Sequence, residues 1–179
     1  MPEAFFVNAE QSVKPRGATP TQESIDRAFR NLQRRSNYVL TCDDWRFILL
    51  NGKNSGRLGV AKIEIQDSEE IEVTDLERTL IDLAVRPSYA GGARVVLEAF
   101  KEAQGRVSVD KLFEYLQELG HSYPYHQVIG FYMKCAGYAT EQTHKLRQVG
   151  LNYDFYLTHA MKESKFDPDW RVFYPAGLL

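Results

Sequence analysis

The residues best able to do chemistry are few and scattered. The four histidines are His121, His126, His144 and His159, and none has a second His or Cys three or four positions away, so no short zinc motif is present. His126 follows Tyr123 and Tyr125 at the start of an aromatic-rich segment and reads as a structural histidine. Cys42 and Cys135 are the only cysteines, and both read as packed rather than reactive. No G-x-S-x-G turn is present. The 51–56 segment, Asn-Gly-Lys-Asn-Ser-Gly, lacks the phosphate-loop spacing and joins strands instead of feeding a helix. Gly91-Gly92 opens an expected helix, where it could present amides to an anion or simply make a tight turn. Asp154 followed by Glu163-Ser164-Lys165 has the order of a divalent-ion nuclease site, with His159 between them. That chemistry needs the second acid on an apolar strand, and residues 161–165 read as a polar loop or helix end. The densest polar cluster is residues 74–82. There Arg78 and Asp82 can pair at i, i+4, and Thr74 with Glu77 fits a capping box, so nothing in it requires catalysis.

These residues must be positioned by an α+β arrangement. Residues 1–73 read mainly as strands with one helix, 74–150 as helical, and 151–179 as closing strands of a single domain. The first helix is expected to start at Thr19 as cap and Pro20 as its first residue, with Ile25, Ala28, Phe29 and Leu32 inward and Arg27, Arg30 and Arg34 sharing a face. Residues 38–41 and 45–50 read as a hairpin about Asp43-Asp44, and 58–65 and 71–73 as further strands. About five helices follow, the first capped by Thr74 and Glu77 and ended by Pro87. The others run near 92–103 (Val95, Val96, Ala99 and Phe100 inward), 108–120 (capped by Ser108), 123–137, and 141–149 (capped by Thr140, with a Glu141–Lys145 pair). The tail offers strands at 153–157 and 171–174 about a turn at 167–169. They are expected to join the first strands in one mixed or antiparallel sheet packed with the helices.

Composition narrows the function classes. The chain has 179 residues, 44% hydrophobic and 26% charged, with 12% aromatic, which is globular rather than disordered. Two distant cysteines exclude a disulfide scaffold, no apolar run spans a membrane, and no signal peptide is visible, so a cytoplasmic setting is expected. The net charge of −2 argues against a global grip on nucleic acid. It conceals an asymmetry: residues 1–60 carry +3 and residues 61–120 carry −6. The basic part includes the 27–35 arginines, which could form a local nucleic-acid-binding face.

One segment carries a resemblance. Val73-Thr74-Asp75-Leu76-Glu77-Arg78-Thr79-Leu80-Ile81-Asp82-Leu83, continued by Arg86-Pro87 and Tyr89-Ala90-Gly91-Gly92, resembles the signature of the AbiEi-type antitoxins. These belong to the type IV (AbiE) toxin–antitoxin and phage abortive-infection systems. Weaker pieces at residues 8–10, 34–38, 50–53, 123–127, 130–133, 136–138 and 170–175 extend the likeness over most of the chain. The resemblance implies a non-enzymatic C-terminal-type antitoxin domain without cofactor. It would counter a cognate nucleotidyltransferase-like toxin, with promoter DNA as a further partner in longer forms bearing a winged helix. No winged helix is visible ahead of Ala4. Thr74, Asp75, Glu77, Arg78, Thr79, Asp82, Arg86, Pro87, Gly91 and Gly92 carry the motif. Arg78, Arg86 and Tyr89, with Arg27, Arg30 and Arg34, are the candidate partner contacts.

Overall fold

The computed structural model describes residues 4–12, 19–33, 36–65 and 69–179. Within them the chain runs β1 (Phe5–Glu10), α1 (Gln22–Arg30), β2 (Val39–Cys42), β3 (Trp45–Gly52), β4 (Val60–Glu64) and β5 (Glu70–Thr74). Then come α2 (Leu76–Val85), α3 (Ala93–Ala103), α4 (Val109–Leu119), α5 (Tyr125–Cys135) and α6 (Thr140–Gln148). The tail forms β6 (Phe155–Tyr156), β7 (Ser164–Asp167) and β8 (Val172–Pro175). The class is α+β, with a central cluster of five helices. No helix among the described residues is long and apolar enough to cross a membrane.

The tail strands do not rejoin the first sheet. The three small sheets are β1-β3-β2, β4-β5 and β6-β8-β7. The tail sheet has its own anchor: Trp170 packs into the helical core and is 1% exposed. Its backbone N–H donates to Asp167 Oδ1 at 2.9 Å, and its carbonyl accepts from Gln127 Nε2 at 2.8 Å. β7 is an edge strand with exposed Ser164, Lys165 and Phe166, which is why its polar sequence read as a loop.

The core lies among α2–α6 and the face of α1. Val96, Phe100, Val128, Ile129, Phe131, Tyr132 and Leu146 are fully buried, and the Phe100 ring stacks on Tyr132 at 5.3 Å. Three helix starts differ from expectation. α1 is capped by Thr21, not Thr19, through a reciprocal pair with Ser24. Pro20 and Leu32 therefore lie outside the helix, and Leu32 is 84% exposed. α2 is capped by Asp75, whose carboxylate accepts from Arg78 N–H at 2.9 Å. Thr74 instead lies in β5, its hydroxyl 2.7 Å from that of Thr79. α6 starts with Thr140 as its first residue. Lys145 pairs with Asp110 on α4 at 2.6 Å rather than with Glu141. Val95, expected inward, is half exposed, and Leu97 takes the buried position beside Val96.

α1 is held by the far end of the chain. Gln22 exchanges two hydrogen bonds with the Asp154 backbone, at 2.8 and 2.9 Å. The Tyr153 hydroxyl donates to Pro20 O at 2.9 Å, and Ala160 N–H donates to Phe29 O at 2.8 Å. The Phe29 ring meets Phe155 edge-on at 4.8 Å.

Candidate functional site: a cleft between the first sheet and α2

The two faces of α2 do different work. One face binds α4. Glu77 accepts from Ser108 N–H at 2.8 Å, and Lys111 bridges Glu77 and Asp75 at 2.9 and 3.1 Å. The Asp75 carboxylate also accepts from the Tyr115 hydroxyl at 3.0 Å. Burial pushes both acids up, but the donors outweigh it. Arg78 N–H, Lys111 and Tyr115 hold Asp75 below the usual carboxylate range, and Ser108 N–H and Lys111 do so for Glu77. Glu77 is thus committed to a partner 31 positions away rather than to a local capping box.

The other face carries Arg78, Asp82 and Arg86 at i, i+4 and i+8 and looks into a cleft of about 270 Å³. Phe6, Asn8, Leu50, Gly52 and Lys53 form its opposite wall, and Thr74, Thr79, Tyr89, Leu119 and His121 are among the other lining residues. β1 and β3 run parallel, with Phe6 opposite Ile48 and Asn8 opposite Leu50, so one face of the first sheet turns toward α2. Phe6 meets Tyr89 edge-on at 5.1 Å.

The polar groups in this cleft are ordered by contacts within the protein. Arg78 is only 5% exposed. Its Nε donates to Asp82 at 3.0 Å, and its Nη1 donates to both Ser55 Oγ at 3.0 Å and Leu58 O at 2.8 Å. Ser55 in turn bonds Glu10 of β1, which holds that carboxyl below its ordinary value. The Glu10–Ser55–Arg78–Asp82 chain therefore rivets the sheet to α2. Gly59 permits the close approach: it has φ +70°, and a Cβ there would sit 2.7 Å from the Arg78 Cβ. Lys53 donates to the Leu119 and Gly120 carbonyls, the latter at 2.9 Å, and so caps the C-terminus of α4. Burial pushes Asp82 up, with Arg78 and Arg86 opposing it. Arg86 is the more available cation, with a 3.5 Å contact to Asn51 O and the Tyr89 ring 6.0 Å away.

His121 is the perturbed group of the cleft. Its Nε2 is buried and has no hydrogen-bond partner among the described residues. Burial first, then the charges of Lys53, Arg78 and Arg86, lower its pKa to about 4. A ring that ionises less readily in the folded state stabilises the fold fully above the unfolded value near 6.5, and that stability is lost as pH falls toward 4. We expect denaturation between pH 7 and 4 to show a loss of up to roughly 3 kcal/mol from this residue, with His121→Phe flattening that part of the profile. Burial lowers His126 and His159 as well, so they contribute with the same sign. An imidazole of His121 titrating above pH 6 by NMR would contradict this.

The structure thus gathers Thr74, Arg78, Thr79, Asp82, Arg86 and Tyr89 into one cleft. Asp75 and Glu77 face α4 instead. Arg78, expected as a surface anchor, is an internal rivet. Pro87, Gly91 and Gly92 make the turn into α3, with φ of +93° and +104° at the two glycines, and line a separate groove with Gln33 and His159. Arg27 and Arg30 are exposed in the last turn of α1, away from the cleft, and Arg34 lies outside the described residues. Lys53 and His121 were missed as cleft residues, because only the tertiary fold brings them to α2.

The other chemical candidates are accounted for. Among the described residues no three His, Cys, Asp or Glu side chains are placed to hold a metal ion. Asp154 pairs with Arg171 at 2.8 Å, and His159 stacks on Phe29 at 4.2 Å, so these two do not converge with Glu163 on a site. His126 is structural, 2.7 Å from the Gly150 carbonyl. Cys135 is half-buried and its thiol is pushed up to about 11 by burial, whereas Cys42 is exposed on the hairpin rather than packed. No family model matches the chain, and no curated protein matches it.

Proposed function

We propose that this domain is a non-enzymatic antitoxin-like module that counters a cognate nucleotidyltransferase-like toxin of a type IV, phage-defence system in the cytoplasm. One observation carries the reading. Most of the polar residues of the AbiEi-like motif and its extension that are not spent on α4 converge on a single cleft, where Arg86 and Tyr89 remain partly open. In this reading Arg86 is the polar anchor for the partner, while Arg78 and Asp82 keep the wall beneath it rigid.

The test is co-expression with such a toxin in a bacterial host. The chain should restore growth, and Arg86→Ala should reduce the number of rescued colonies at least tenfold while leaving expression and folding intact. The paired Arg27→Ala and Arg30→Ala changes should leave rescue unchanged. Unrelieved toxicity in the presence of soluble, folded chain would count decisively against the proposal.

A further inference from the structure

The side of the first sheet that faces away from α2 is apolar, and no described helix or strand outside the sheet covers it. Strand alternation and register put Phe5, Val7 and Ala9 of β1, Trp45, Phe47, Leu49 and Asn51 of β3, and Leu40 and Cys42 of β2 on that side. The ring contacts agree: Phe5 lies 5.1 Å from Trp45 and 5.4 Å from Phe47. None of these nine residues is charged. A sheet face left to water ordinarily turns polar residues outward, and here it does not; on the α2 side Phe6 and Val39 are also partly open, at 41% and 46%. The exposures are large: Leu40 65%, Val7 44%, Phe5 42% and Trp45 39%. No described residue outside the sheet stacks a ring on this side.

We infer that this face is the interface between two copies of the chain, packed sheet on sheet about a two-fold axis. Area favours a second copy. A free aromatic side chain offers ~150–250 Å², so the exposed fractions leave roughly 400–500 Å² of apolar surface per copy. Two copies together remove roughly 800–1,000 Å² of apolar surface from water, which at its upper end reaches the size at which specific association begins. Charge points the same way. A face with no charged side chain has no sign with which to select a different partner, whereas it complements itself in an isologous contact. Two twisted sheets can stack face to face about 10 Å apart at a small angle, which suits three short strands on each side. This inference does not depend on the antitoxin reading, because the cleft lies on the opposite face of the sheet.

Sedimentation velocity of the full chain from about 1 to 200 μM tests it. A dimer should grow with concentration. Leu40→Glu, at the most exposed large apolar residue of the face, should weaken it at least tenfold without changing the circular dichroism or the melting temperature. Trp45 supplies a second readout. It is the exposed one of the two tryptophans, Trp170 being buried, so acrylamide quenching should fall as the dimer forms. A chain still monomeric at 200 μM overturns the inference, as does a dimer indifferent to Leu40→Glu. A monomeric chain whose binding of the co-expressed toxin is abolished by Leu40→Glu also overturns it, and assigns the face to the toxin.

Discussion

Replacing Gly130 with alanine should destabilise the protein by about 2 kcal/mol, although glycine in mid-helix is ordinarily the weaker residue. Helix propensity alone favours alanine by about 1 kcal/mol. At Gly130, on α5, an added Cβ would fall 2.3–2.5 Å from three ring atoms of Trp170. The ring has nowhere to go. Its backbone is fixed by Asp167 and Gln127, and the Arg147 guanidinium lies over the ring, 4.7 Å from its centroid. Overpacking of about 3 kcal/mol therefore outweighs the propensity gain. For a chain of this size the melting temperature should drop by about 4–8 °C. Trp170→Phe in the same chain should relieve part of the clash, so that the double variant loses less than the two single losses combined. Unchanged or raised stability of Gly130→Ala would show that α5 and the tail are not in contact at this point.

Arg78→Met should cost more, about 3 kcal/mol, because it removes a buried cation and leaves the partners of its hydrogen bonds without their donor, although Asp82 itself is half exposed. Asp82, Ser55 and the Leu58 carbonyl each lose a donor, and Glu10 loses a nearby positive charge. The pH dependence checks the cause. Without Arg78 the burial effect on Asp82 is less opposed, so its pKa in the folded state rises further above the unfolded value. A raised carboxyl pKa adds stability below the unfolded value, and that stability is lost as pH climbs through the folded one. The deficit of the variant should therefore be smaller near pH 4 than at pH 7, and Asp82→Asn should reduce it at neutral pH. A deficit that does not change with pH would mean that the loss comes from packing alone.

Both predictions depend on contacts that a sequence reading reaches unevenly. The helices and the hairpin were legible because periodicity and turn chemistry are local: Ser108 caps α4 through Lys111 N–H, and Asp43 takes the positive φ of the hairpin turn. The Thr74–Glu77 capping box fit the same local code but lost to tertiary partners. Asp75 took the cap one residue later, and Ser108 and Lys111 claimed Glu77. β7 was hidden because an edge strand need not be apolar. The candidate site was half legible. Its α2 wall follows from spacings of four, but Lys53 and His121 reach it only once α4 ends against the first sheet. The bare face of that sheet left no trace, since apolar residues read as core until the structure shows which side is covered.

The attachment of α1 to the tail also has a consequence for how the chain emerges from the ribosome. Ile25 and Phe29 are buried in the finished protein, and part of what covers Phe29, namely Phe155 and Tyr156, comes more than a hundred residues later. At about 5–20 residues per second, synthesis from Phe29 to Phe155 lasts roughly 6–25 s. During that time the first helix carries an apolar stripe with no permanent seat. The helices α2–α5 bring many of their own packing partners and can assemble in order as they appear. α1 is therefore made well before its seat exists and is secured late, which leaves it open to chaperones and proteases for longer than the helices that follow it.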